Sequence, residues 1–126
     1  MEAPSGLHYS AEHEWLKVED GIATLGITDY AQDSLGDVVF VELPPVGRTL
    51  AEGEAFGVVE SVKAVSDIYS PIAGEIIAVN ESLESSPEAI NASPYETGWL
   101  LKLRVSGTPD TTKLMDAKSY GEFTAH

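Results

Sequence analysis

Short apolar and β-branched runs recur along nearly the whole chain, each closed within a few residues by glycine, proline, asparagine or aspartate. That rhythm restricts the chain to short strands joined by tight turns. Leu7, Tyr9 and Trp15-Leu16-Lys17-Val18 lead into the turn Glu19-Asp20-Gly21, and residues 22–27 return, which predicts a hairpin. Thr28-Asp29 caps a short helix over residues 30–35 that Gly36 stops. A strand over 37–43 ends at Pro44-Pro45. Residues 55–62 form the next strand, with Phe56, Val58, Glu60 and Val62 on one face. Strands over 65–69, 75–80 and 98–105 follow, and 81–97 is an irregular loop with a helical turn. Pro109-Asp110 starts a C-terminal helical region over 111–115, with a second piece around 118–123. The pattern predicts a mainly β fold, a sandwich or flattened barrel with a few short helices.

The 126 residues read as one domain, with a core over 7–123 and flexible ends at 1–6 and 124–126. A chain of this size buries roughly two-thirds of its unfolded surface, so neither metal nor disulfide is needed for folding. There is no cysteine, which excludes disulfides and thiolate metal sites and permits a reducing compartment. Seven basic residues stand against twenty-one acidic ones, a formal charge of −14. That balance argues against nucleic acid and anionic membranes and for a monomer that meets basic partner surfaces. No apolar run approaches a membrane span. The N-terminus resembles neither a secretory nor a transit signal, which places the chain in a bacterial cytoplasm, or in the mitochondrial matrix as a processed organellar form.

One of the few basic residues, Lys63, stands in Glu60-Ser61-Val62-Lys63-Ala64-Val65-Ser66-Asp67, where a hairpin turns between two β-branched runs. Val62 and Val65 are placed to pin the turn to the core. Ser61 and Ala64 are small and leave the amine open to a modifying enzyme. Glu60 and Asp67 offset the lysine charge or guide a basic enzyme surface. A solvated surface lysine in a β-turn has the same local sequence, so the motif needs its wider context.

That context is specific. The stretch around Lys63, followed by Tyr69-Ser70-Pro71-Ile72-Ala73-Gly74-Glu75-Ile76, resembles the lipoyl attachment hairpin of the glycine cleavage system H proteins. His13-Glu14-Trp15 resembles that family's N-terminal signature. The segments 26–32 and 35–41 resemble its central block, and Asn91-Ala92-Ser93-Pro94-Tyr95 with Gly98-Trp99-Leu100 its late block. The resemblance spans about residues 7 to 123 and several blocks in order. Biotin carriers place methionines beside the modified lysine, where this chain has Val62 and Ala64. The lipoyl domains of 2-oxo-acid dehydrogenases lack the His-Glu-Trp block.

The resemblance implies a lipoyl-type flattened barrel-sandwich and a non-catalytic carrier with lipoate bound as an amide on Lys63. Its implied partners are a pyridoxal-phosphate glycine decarboxylase, a tetrahydrofolate-dependent aminomethyltransferase, an FAD-containing dihydrolipoyl dehydrogenase and a lipoate-attaching enzyme. Glu60, Ser61, Val62 and Ala64 would be read by that last enzyme. Glu14 and Asp67 would hold the ammonium of an aminomethyl-lipoyl arm in a cleft. Glu12, where some members carry a small hydroxyl residue, would add a third carboxylate or face solvent. The alternatives are an H-like protein that relays lipoate to other enzymes, and an unmodified acidic β interaction domain.

Other chemistries find little support. His8, Glu12 and Glu14 would share one side of a strand and His13 the other, which makes a poor metal set. There is no Gly-x-Ser-x-Gly elbow. Gly53 and Gly57 suit turns and close strand approach, and Trp15 and Trp99 suit the core.

Overall fold

A computed structural model describes residues 3–105 and 111–125. Its strands are β1 (His8–Tyr9), β2 (Glu14–Glu19), β3 (Ile22–Ile27), β4 (Val38–Glu42), β5 (Thr49–Leu50), β6 (Ala55–Ser61), β7 (Val65–Tyr69), β8 (Gly74–Val79) and β9 (Leu101–Arg104). Four short helices intervene: α1 (Asp29–Leu35), α2 (Ser82–Ser85), α3 (Ala89–Ala92) and α4 (Ala117–Phe123). The strands form a six-stranded sheet, β1-β2-β3-β9-β8-β5, and a three-stranded sheet, β4-β6-β7. The two sheets do not close into a barrel. Apolar residues of both meet in one core, including Leu16, Leu25, Ile76 and Leu103 from the larger sheet and Val41, Val59 and Ile68 from the smaller. The mainly β sandwich expected from the turn rhythm is therefore present.

Local chemistry explains several boundaries. Thr28 caps α1 by accepting the Ala31 amide, and Gly36 ends it with φ 81° and ψ −158°, a region closed to side chains bearing a β-carbon. Gly26 lies beneath Trp15, where a β-carbon would stand 2.5 Å from the indole. The Trp15 indole N–H donates to the Pro94 carbonyl at 3.0 Å, which ties the late block to the first hairpin. A second cluster of Tyr9, Trp15 and Tyr120 packs Trp99 and Met115 around it, and Lys102 Nζ sits 5.3 Å from the Trp99 ring centroid.

Four readings of the sequence need correction. Residues 55–62 do not keep one alternating face. A bulge between Ala55 and Gly57 shifts the register, so Phe56 and Val59 are buried while Val58 is half-exposed. Residues 111–115 are not helical: Met115 forms an antiparallel bridge with Tyr9, and Pro109-Asp110 lies outside the described residues. The final strand is only β9, because Asn80 takes the preceding carbonyls of Thr97 and Trp99 through its side chain. His8 and Glu14 do not share one strand, since His13 turns the chain at φ 69° between β1 and β2.

Candidate functional site

The hairpin β6–β7 carries Lys63 at its tip. Ser61 shapes the turn: its hydroxyl accepts the Lys63 amide at 3.2 Å and the Ala64 amide at 3.0 Å, while its own amide donates to the Ala64 carbonyl at 2.8 Å. Val62 and Val65 do not pin the tip to the core. They are 71% and 66% exposed, because strand alternation turns Ile68 and Ser66 inward and Val65 outward. The tip is held instead by a backbone bond from the Val62 amide to the Asp37 carbonyl at 3.1 Å. Lys63 is exposed, and its stem lies over Gly36 at the end of α1: a β-carbon there would be 3.3 Å from Lys63 Cε.

From Gly36, α1 runs back beneath a hollow of about 190 Å³. Leu35, Ser34, Ala31 and Tyr30 line it from α1, Ser66 and Ile68 from β7, and Glu12 and His13 close its far side. Five residues of helix span about 7–8 Å, so the hollow leads from the lysine toward the turn that precedes β2. A neighbouring recess is lined by Glu12, Gly53 and Tyr69. Gly53 sits in a turn at φ 81°, and a β-carbon at Gly57 would stand 2.6 Å from the Glu42 carbonyl oxygen.

Glu14 begins β2 and is 3% exposed. Its Oε1 accepts the Ser10 hydroxyl at 2.6 Å and its Oε2 the Tyr69 amide at 3.4 Å. The first strand thus does pack against the end of the lysine hairpin. Burial pushes the Glu14 carboxyl up to about 7, the Ser10 and Tyr69 hydrogen bonds oppose that shift, and the Glu12 charge adds to it. Glu12 is exposed at the mouth. Asp67 is also exposed and lines neither recess. Alternation along β7 places it on the face opposite Ser66 and Ile68, so the three carboxylates do not converge in the hollow.

That outer face is ordered by register. Phe40, Glu60 and Val65 form one row across the small sheet, and Glu42, Val58 and Asp67 the next. Phe40 is 47% exposed. Apolar side chains and three carboxylates therefore surround the base of the lysine turn.

Ser10 and Tyr120, which the sequence did not single out, complete the site. His13 Nδ1 lies 2.7 Å from the Tyr120 hydroxyl, which is also 2.7 Å from Thr28 Oγ1. Tyr120 stacks on Tyr9 at 4.7 Å and His13 on Tyr30 at 4.6 Å, so α4 braces the wall of the hollow. Burial lowers the His13 pKa, with Glu12 opposing, and burial raises the Tyr120 hydroxyl to about 12. No local pattern marks Ser10 or Tyr120, whose partners lie in other elements. Among the described residues no group of three or more metal-ligating side chains occurs.

The model of the family described as glycine cleavage H-protein matches residues 7–126. The glycine cleavage system H protein of Symbiobacterium thermophilum is 58% identical over 121 residues, covering 96% of this chain and 94% of that protein. The one from Listeria innocua is 54% identical over 120 residues, covering 95% and 96%. A crystal structure of a glycine cleavage system H protein from Mycobacterium marinum superposes with a TM-score of 0.90 at 37% identity, over 98% of this chain and 100% of that one. The fold, the lysine hairpin and these matches agree, and the chain belongs to the glycine cleavage H-protein family.

Proposed function

We propose that this chain is the lipoyl carrier of a glycine cleavage system, with lipoate joined as an amide to Lys63. The observation that carries the reading is the placement of Lys63, at the tip of a tight hairpin with its stem laid over Gly36, at the end of the helix that lines a hollow. The residues fit such an arm. Ser61 and Ala64 leave the amine open, and Ala31, Leu35 and Ile68 offer apolar walls to an alkyl chain. Bound there, lipoate supplies a disulfide that takes up a one-carbon aminomethyl unit with two electrons and gives each up in turn.

The chain's own residues bind, orient and shield. Glu12 at the mouth and Glu14 behind Tyr69 provide negative charge for an ammonium. Ser10 and the Tyr69 amide hold the Glu14 carboxyl in place. Because burial raises Glu14 to about 7, an arriving ammonium would draw it into the ionised form. Asp67 stands on the outer face and is proposed to act there, with Glu42 and Glu60, on partner surfaces.

In this reading the partners are a glycine decarboxylase, an aminomethyltransferase, a dihydrolipoyl dehydrogenase and a lipoate-attaching enzyme. The outer face around Lys63 is the surface each of them must meet to reach the arm. Bond-making is left to them, and the bacterial cytoplasm is the proposed place of action. The test is glycine–bicarbonate exchange with a glycine decarboxylase. Lipoylated wild type should support exchange and Lys63→Arg should not, since arginine keeps the charge but forms no lipoyl amide. Equal exchange with both proteins would sink the proposal.

A further inference from the structure

Resting on the reading of Lys63 as the attachment site, we infer that Asn91 is the positioning residue of the lysine hairpin. Asn91 lies on α3, which belongs to neither the hairpin nor the hollow. Its side-chain amide is fully engaged. Oδ1 accepts the Val38 amide at 2.8 Å, and Nδ2 donates to the Gly36 carbonyl at 2.9 Å and to Gln32 Oε1 at 2.9 Å. The three bonds grip the corner where α1 becomes β4 from both of its ends and tie it to the last turn of the helix.

That corner is the seat of the hairpin. The Asp37 carbonyl, between the two gripped residues, accepts the Val62 amide. Gly36 is the surface on which the Lys63 stem lies. Val38 pairs with Ser61, the residue that shapes the turn. The bonds made by Ser61 fix the form of the turn and leave its place undetermined. The strands of the hairpin are anchored in the core by Phe56, Val59 and Ile68, but at the tip Val62 and Val65 face solvent and add no anchor. The direction in which the arm leaves the body is therefore set through the corner, and the corner through Asn91.

The chemistry requires asparagine. One acceptor and two donors in a single plane meet one N–H and two carbonyl oxygens. Aspartate keeps the acceptor and turns the second oxygen against the Gly36 carbonyl and Gln32 Oε1. Alanine leaves the Val38 amide and the Gly36 carbonyl without their partner.

The test uses the full-length protein without lipoate, as wild type, Asn91→Asp and Asn91→Ala, read by residue-resolved amide hydrogen exchange. In Asn91→Ala the Val38 and Val62 amides should exchange about tenfold faster, the weight of one lost hydrogen bond, and in Asn91→Asp, which keeps the Val38 acceptor but repels the Gly36 carbonyl, the Val62 amide should do the same. Amides of β3 and β9 should stay within about twofold. Gln32→Met removes one of the three Asn91 bonds, together with the Gln32 Nε2 bond to Asp29 Oδ1, and guards against a variant that fails to fold. It should speed the same two amides by about two- to threefold. With a lipoate–protein ligase, lipoate and ATP, the KM for Asn91→Asp should rise about fivefold with kcat unchanged, because the tip is displaced while the amine is intact. An unchanged Val62 amide, or an equal acceleration of every amide, would overturn the role of Asn91. A wild type that the ligase cannot modify would overturn the attachment reading, and the exchange data would still decide on Asn91.

Discussion

The stem of Lys63 rests on Gly36, with Cε 3.3 Å from where a β-carbon of that glycine would be. The contact sets the modification site beside the end of the helix that floors the hollow. Gly36 also holds φ 81° and ψ −158°. Gly36→Ala should cost about 1–3 kcal/mol in backbone strain and displace the lysine stem as well. Urea denaturation should show the lowered midpoint with an unchanged m-value.

Gly26 has no room for a β-carbon, which would overlap the Trp15 ring. Gly26→Ala should push the indole off the Pro94 carbonyl and destabilise by about 1–3 kcal/mol, the range for overpacked cores. Trp15 fluorescence should shift in the folded variant, whereas Gly121→Ala, where nothing lies within 4 Å, should leave it unchanged.

Glu14 gives the fold a pH dependence opposite in sign to that of a salt-bridged carboxylate. Its folded value of about 7 lies above the ordinary 4.5. Below 4.5 both states hold the proton and nothing is lost. Between 4.5 and 7 the unfolded chain releases it first, so stability falls as pH rises. The full difference is about 3 kcal/mol above pH 7. Glu14→Gln should remove that slope and be more stable than wild type at pH 8 by about 2–3 kcal/mol. Parallel stability–pH curves for the two proteins would contradict this.

Tyr120 should matter through its hydroxyl. Tyr120→Phe keeps the stack on Tyr9 but removes the group that meets both His13 and Thr28. A loss of about 1–3 kcal/mol is expected from the buried polar atoms left without that partner. Proteolysis should then release α4 before the core opens.

Much of this was legible in the sequence. The Lys63 turn, the Thr28 cap and the Gly36 stop are local signals, written within a few residues of where they act. What could not be read depends on distant partners. Met115 bridges to Tyr9, so a stretch that scores as helix is pulled into an extended bridge by a strand at the other end of the chain. The bulge at Ala55–Gly57 shifts the register where the Glu42 carbonyl comes too close to Gly57 for a β-carbon, and Phe56 there is buried. The resemblance puts Asp67 in a cleft with Glu14, whereas the strand register, which only the fold reveals, sets it in a row with Glu42 and Val58. Asn91 stands in a recognisable block, but its partners at 32, 36 and 38 appear only in three dimensions.

The outer rows beside the hairpin should govern recognition of the amine. Glu60→Lys places a positive charge between Phe40 and Val65. It should lower kcat/KM for enzymatic lipoylation by about tenfold at low salt, less at high salt, with folding unchanged. An equal loss at both salt concentrations would mean that contact, and not charge, is read there.

The central claim is that Lys63 carries the acyl group, and intact-mass spectrometry after incubation with a lipoate–protein ligase, lipoate and ATP tests it most directly. Wild type should gain the mass of a single lipoyl amide, mapped by peptide analysis to Lys63, and Lys63→Arg should gain none. A wild type that stays unmodified, or a Lys63→Arg protein that still takes up lipoate on another lysine, would contradict the account.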